Sequence, residues 1–198
     1  MNKKLRTIDL TLAAMFVALM AVGANITSFV PFLVIGGVPI TLQTFFAILA
    51  GALLGSRIGA ISMAVYALVG LVGVPVFARF GAGLSSIVSP TFGFIVSFIF
   101  TAYITGKIVE RNKGVNVYIV AALVGMVVNY VVGTNWMYAA YKLWAAAPDG
   151  LTYGLVWSWM MVPLPKDIIL AVCAGIMAHR LEKSVLSKST FRNVNRAA

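Results

Sequence analysis

Apolar runs of bilayer-spanning length follow one another through this sequence, with charge confined almost entirely to their ends. They cover about residues 10–30, 41–54, 58–76, 90–109 and 117–138, and a last stretch over 151–177. A helix crosses a hydrocarbon core of about 30 Å with roughly 20 apolar residues. Only helices or closed barrels satisfy their backbone polar groups there. Charged residues make up 10% of the chain, against roughly 25% in soluble domains. So few charges do not cover a water-facing surface, and membrane lipid is the expected surrounding.

The pattern predicts an all-α integral membrane protein, a single membrane domain over residues 1–198. The first basic residues precede an apolar run without a small-residue cleavage site, which reads as a retained first helix. Gly55-Ser56-Arg57 makes a turn between the second and third segments. The second segment is short and needs shielding by its neighbours. Pro163 and Pro165 break the last stretch into a membrane-dipping piece and a helix over about 165–181. Six transmembrane helices result, with a loose polar tail over 184–198.

Lysine and arginine set the orientation. With a cytoplasmic N-terminus and six spans, the inner side holds Lys3, Lys4, Arg6, Arg57, Lys107, Arg111, Lys113, Arg180, Lys183, Lys188, Arg192 and Arg196. The outer half holds only Arg79, Lys142 and Lys166. Both termini are then cytoplasmic. The net charge of +10 reflects this topology and not a nucleic-acid partner. All seven prolines (Pro31, Pro39, Pro75, Pro90, Pro148, Pro163 and Pro165) fall in the outer half. Irregular backbone at membrane depth survives where it lines a cavity, so an outward-facing ligand pocket is expected.

Catalytic chemistry has little to work with. No G-x-x-x-x-G-K-[ST] phosphate loop is present. The single histidine, His179, sits beside Arg180 at the inner end, and the single cysteine, Cys173, lies in an apolar run. No metal-ligand spacing occurs. The expectation is a non-enzyme without a cofactor. Of the five acids, Asp9, Glu110 and Glu182 lie at inner ends, leaving Asp149 and Asp167 outside.

Pro165-Lys166-Asp167 is the sharpest local feature. Asp167 precedes Arg180 by 13 residues, roughly 20 Å along a helix, which places it below the outer surface. Charge at that depth has to pair or meet a ligand; the alternative is an interfacial N-cap with a snorkelling lysine. Arg79 fits either a bidentate carboxylate contact or a solvated loop. Thr41 and Gln43 can face the pocket or cap the second segment. On segment five, Asn129 and Gly133 share a face with Trp136 one turn on, and a buried asparagine needs partners. Tyr130 is a weaker candidate. Ala14 and Ala18 let another helix approach closely.

Four strings occur in order: Gly36-Gly37-Val38-Pro39-Ile40-Thr41-Leu42-Gln43-Thr44, Gly55-Ser56-Arg57-Ile58-Gly59, Tyr66-Ala67-Leu68-Val69-Gly70-Leu71-Val72-Gly73-Val74-Pro75-Val76-Phe77, and Ser89-Pro90-Thr91-Phe92-Gly93-Phe94. Together they resemble the BioY family, the biotin-specific S components of energy-coupling-factor (ECF) transporters, over roughly residues 10–180. The resemblance implies a biotin-binding subunit in the plasma membrane of a prokaryote. Its implied partners are a transmembrane coupling protein, docking at Ala14 and Ala18, and two ATP-hydrolysing subunits. The family's acidic residue near the start of the last helix maps to Asp167. Leu170 stands where the family often has lysine, and Lys166 precedes the aspartate instead; Ser89 and Phe94 also depart from the usual motif. On this reading Asp167 accepts from the ureido N–H groups, with Asn129, Thr41 and Gln43 completing the polar shell. Arg79 or Lys166 takes the carboxylate, and aromatics near Phe77 and Trp136 cover the apolar rings. The alternative is a stand-alone secondary transporter for a small organic anion, with Asp167 as its coupling residue.

Overall fold

The computed structural model describes residues 6–26, 34–35, 38–39 and 41–186. Gly36, Gly37, the end of the first apolar run (27–30) and tail residues 187–198 lie outside the described residues. Helices dominate in the order α1 (Thr7–Asn25), α2 (Gln43–Leu71), α3 (Phe92–Arg111), α4 (Val115–Leu143), α5 (Tyr153–Met161) and α6 (Leu164–Leu181). A π turn, Glu182–Leu186, continues α6. Between α1 and α2, Val34–Ile35 pairs antiparallel with Val38–Pro39. Two 3-10 turns, Ala78–Phe80 and Leu84–Val88, connect α2 to α3.

The turn expected at Gly55-Ser56-Arg57 is made by Gly55 alone, whose φ of 83° and ψ of 172° break α2. That φ is open to glycine at little cost. The chain doubles back there: a Cβ on Gly59 would lie 2.9 Å from Gly51 Cα. The first arm (43–54) is short, and Ala47, Ile48, Leu49, Ala50 and Ala52 are all buried, on every side of it. Its neighbours supply the shielding. A Cβ on Gly51 would meet Ala102 O of α3 at 2.2 Å, so small residues set the spacing of these helices.

Hydroxyls tie α3 to α4. Thr101 and Thr105 donate to Gly125 O and Ala121 O at 3.2 and 3.3 Å. Such interhelical bonds contribute about 0.6 kcal/mol each on average in a membrane protein. Helix α4 runs past the expected end at Tyr138 to Leu143, because no helix breaker precedes Pro148. The third apolar segment stops short of residue 76, at Leu71, since Gly73 turns left-handed (φ 108°) ahead of Pro75. At Pro163 the chain bends by 56° between α5 and α6.

Four helices, α1 to α4, are long and apolar enough to cross a membrane, and α5 with α6 makes a fifth candidate span as a bent pair. This is a multi-pass membrane protein. Three of its acids act structurally, at the end of the bundle where the Gly55 turn lies. Asp9 accepts from the Arg6 backbone N–H at 3.0 Å. Glu110 Oε1 accepts from Ser56 N–H and Oγ–H at 2.7 and 2.8 Å, capping the second arm of α2. Glu182 pairs with Lys113 at 3.6 Å. At the opposite end the helix starts and connecting turns leave a cavity.

Candidate functional site

The cavity measures about 330 Å³, near the small end of the range for small-molecule sites, roughly 300–1,000 Å³. The start of α2, the Phe77–Gly81 turn, the lead-in and first turns of α3, the middle and end of α4, the end of α5 and the start of α6 wall it. Pro90 and Pro163 both line it. Pro90 stands just before α3, and Pro163 between α5 and α6, where the wall is irregular backbone.

Asp167 enters from the first turn of α6 and is 8% exposed. Its Oδ2 accepts from Tyr130 O–H at 2.6 Å. Its Oδ1 lies 2.7 Å from Lys166 Nζ, yet accepts no well-directed hydrogen bond among the described residues. The ion pair offsets part of the cost of burying the carboxylate, and Oδ1 keeps capacity for a further donor. Lys166 Nζ also donates to Thr41 O at 2.8 Å. It straps the start of α6 to the start of α2, so one N–H is engaged by that carbonyl while the ammonium is held against Asp167.

A second polar line crosses the start of α2. Thr41 Oγ1 donates to Gln43 Oε1 at 3.1 Å, Gln43 Nε2 donates to Tyr66 Oη at 2.8 Å, and Tyr66 donates to Val76 O at 2.9 Å. Each donor fixes the next, so Gln43 is held in one orientation. Phe77 follows Val76, packs edge-on to Tyr66 at 5.6 Å and sits against Gly70, where any side chain would collide with its ring. On α4, Asn129 accepts from Ser97 Oγ and donates to Thr44 Oγ1 at 3.2 Å. Gly133, one turn on, gives Phe94 its place in the wall.

Arg79 completes the wall in an unusual backbone. It and Phe80 are consecutive non-glycine residues with φ of 59° and 56°. Such left-handed conformations cost on the order of 1 kcal/mol or more each. They occur together because Phe77 N–H bonds Gly81 O at 3.0 Å to close the turn, while Phe80 N–H donates to Asn25 Oδ1 at 2.7 Å.

Asp167, Lys166, Arg79, Asn129, Thr41, Gln43, Tyr130 and Phe77 thus gather around one cavity. Trp136 does not line it. Seven residues beyond Asn129, roughly 10 Å along α4, it packs on Phe92 and Trp144 and over Gly93. The sequence reading missed Thr44, Tyr66 and Ser97, which hold the site residues in place. Their signal was faint, single hydroxyls on apolar helices. Ser89 and Phe94 both line the wall. Ala14 and Ala18 lie mid-way along α1, outside the cavity lining, and are exposed.

A profile of the BioY family matches residues 1–187. The chain belongs to the BioY family. Among relatives, a putative biotin transporter BioYB of Bacillus subtilis is 44% identical over 192 residues, covering 96% of this chain and 95% of that protein. A probable biotin transporter BioY of Pyrococcus horikoshii is 38% identical over 174 residues, 88% and 96% of the two chains. A biotin transporter BioY of Thermotoga maritima is 33% identical over 172 residues, 86% and 94% of the two chains. The BioY fold also matches a crystal structure of the S-component for biotin from an ECF-type ABC transporter. The TM-score is 0.75 at 22% identity, over 93% of this chain and 95% of that one.

Proposed function

We propose that this BioY protein binds biotin outside the cell and delivers it as the S component of an ECF-type importer. The observation that carries the reading is Asp167: a buried carboxylate oxygen with unused acceptor capacity, on the wall of a cavity sized for a small molecule. A ureido ring presents N–H donors to such a group. Relatives bearing the name biotin transporter over nearly the whole chain support the ligand.

The ureido N–H groups donate to Asp167, while Asn129, Thr41 and Gln43 supply the rest of the polar shell. Lys166 is held by Asp167 and Thr41 O, which favours Arg79 as the partner of the carboxylate. Phe77, Phe94 and Phe98 cover the apolar bicycle. The two arms of α2 count as separate spans, giving six with the bent α5–α6 pair. The residues form one membrane domain, with the cavity outward and both termini cytoplasmic in a prokaryotic plasma membrane. The lysine and arginine bias supports that orientation. Chemistry and ATP hydrolysis belong to partners: a transmembrane coupling protein docked at Ala14 and Ala18, and two ATP-hydrolysing subunits. The chain itself is not an enzyme.

Native mass spectrometry of the chain purified from biotin-fed cells tests the ligand. The expected spectrum shows one retained molecule of biotin mass per chain. A different retained mass, or none after incubation with excess biotin, contradicts the reading.

A further inference from the structure

We infer that Asn25, at the end of α1, is a positioning residue that holds Arg79 in the cavity wall. This rests on the reading of Arg79 as the carboxylate partner. Asn25 is 8% exposed, and both ends of its amide are used. Nδ2 donates to Ala21 O at 3.0 Å, fixing the side chain against its own helix. Oδ1 accepts from Phe80 N–H at 2.7 Å, bridging 55 positions of sequence.

The turn it grips is anchored at one end by the buried Phe77, while Ala78–Phe80 contains no buried residue. The Phe80 side chain is 53% exposed. Arg79 and Phe80 occupy left-handed backbone that ordinary residues leave when released. Ala78, Arg79 and Gly81 all line the cavity, so relaxation of this backbone moves a section of wall. Asn25 itself is outside the lining. Its action on a ligand therefore runs through the turn.

Two measurements on the full-length purified protein test this. In ligand-free protein, Asn25→Ala should speed amide hydrogen exchange at Phe80 by tenfold or more, and Asn25→Asp, which keeps the acceptor, should restore most of the protection. Unchanged exchange in Asn25→Ala overturns the inference whether or not biotin is the ligand. In biotin titrations, Asn25→Ala should raise Kd about as much as Arg79→Ala, roughly tenfold. The double variant should be no weaker than Arg79→Ala alone, as expected of two residues acting as one. Fully additive losses would make Asn25 a general structural residue and overturn the positioning role. Failure of the wild type to bind biotin would count against the proposed function and leave the exchange experiment to decide this one.

Discussion

Tyr130 donates its phenol proton to Asp167 Oδ2 across 2.6 Å, which leaves Oδ1 beside the Lys166 ammonium as the oxygen with a place still to fill. A residue on α4 thereby dictates which face of a carboxylate on α6 serves the cavity. The tyrosine also fixes the carboxylate plane, so a ligand donor meets a prepared acceptor and little ordering remains at binding.

Asp167→Ala should lose about 2–3 kcal/mol of biotin binding, on the order of a hundredfold in Kd, since hydrogen bonds to a charged group are at stake. Competition with labelled biotin measures it. An affinity equal to wild type would remove Asp167 from the site.

Tyr130→Phe should cost less, about 1 kcal/mol or roughly fivefold, because it deletes one neutral donor and keeps the charge. The same assay checks the ranking. A Tyr130→Phe loss larger than that of Asp167→Ala would mean that the tyrosine, and not the carboxylate, meets the ligand.

The opposite end of the bundle should govern stability without touching affinity. Glu110→Ala strips the cap from Ser56 and should cost about 1–3 kcal/mol; Gly51→Val forces α2 away from Ala102 at a comparable cost. Thermal unfolding in detergent should show both as lowered midpoints. Glu110→Ala should keep the wild-type Kd; a large rise would mean that this end communicates with the cavity.

Ala14→Trp and Ala18→Trp place bulk on an exposed face of α1. Both should block co-purification with the coupling protein while biotin binding stays within about twofold, given that neither residue lines the cavity. Intact complexes in both variants would move the docking surface elsewhere.

In a Cys173→Ala background, a membrane-impermeant thiol reagent added to intact cells should label Gly83→Cys and spare Lys113→Cys. The opposite pattern would turn the cavity to the cytoplasm.

Much of this was readable from residue type and spacing. Glycine at 55 marked the hairpin, and Pro163 marked the bend, because both act through local backbone geometry. Asp167 stood out because charge at membrane depth is costly wherever the chain places it. The remainder depends on contacts between distant segments. Nothing around Asn25 in the sequence points to Phe80, and the strap from Lys166 runs to a backbone oxygen, which no residue type announces. Trp136 illustrates the reverse: spacing puts it on the helical face of Asn129, but its height along α4 sets it against Phe92 and Trp144. Face follows from spacing, whereas height follows from how neighbouring helices are staggered.

Calorimetric titration of the purified chain with biotin, without added ion or nucleotide, bears most directly on the whole account. Saturable one-to-one binding that collapses in Asp167→Ala is the predicted result. Absence of heat at micromolar biotin, together with no displacement of labelled biotin, would contradict it.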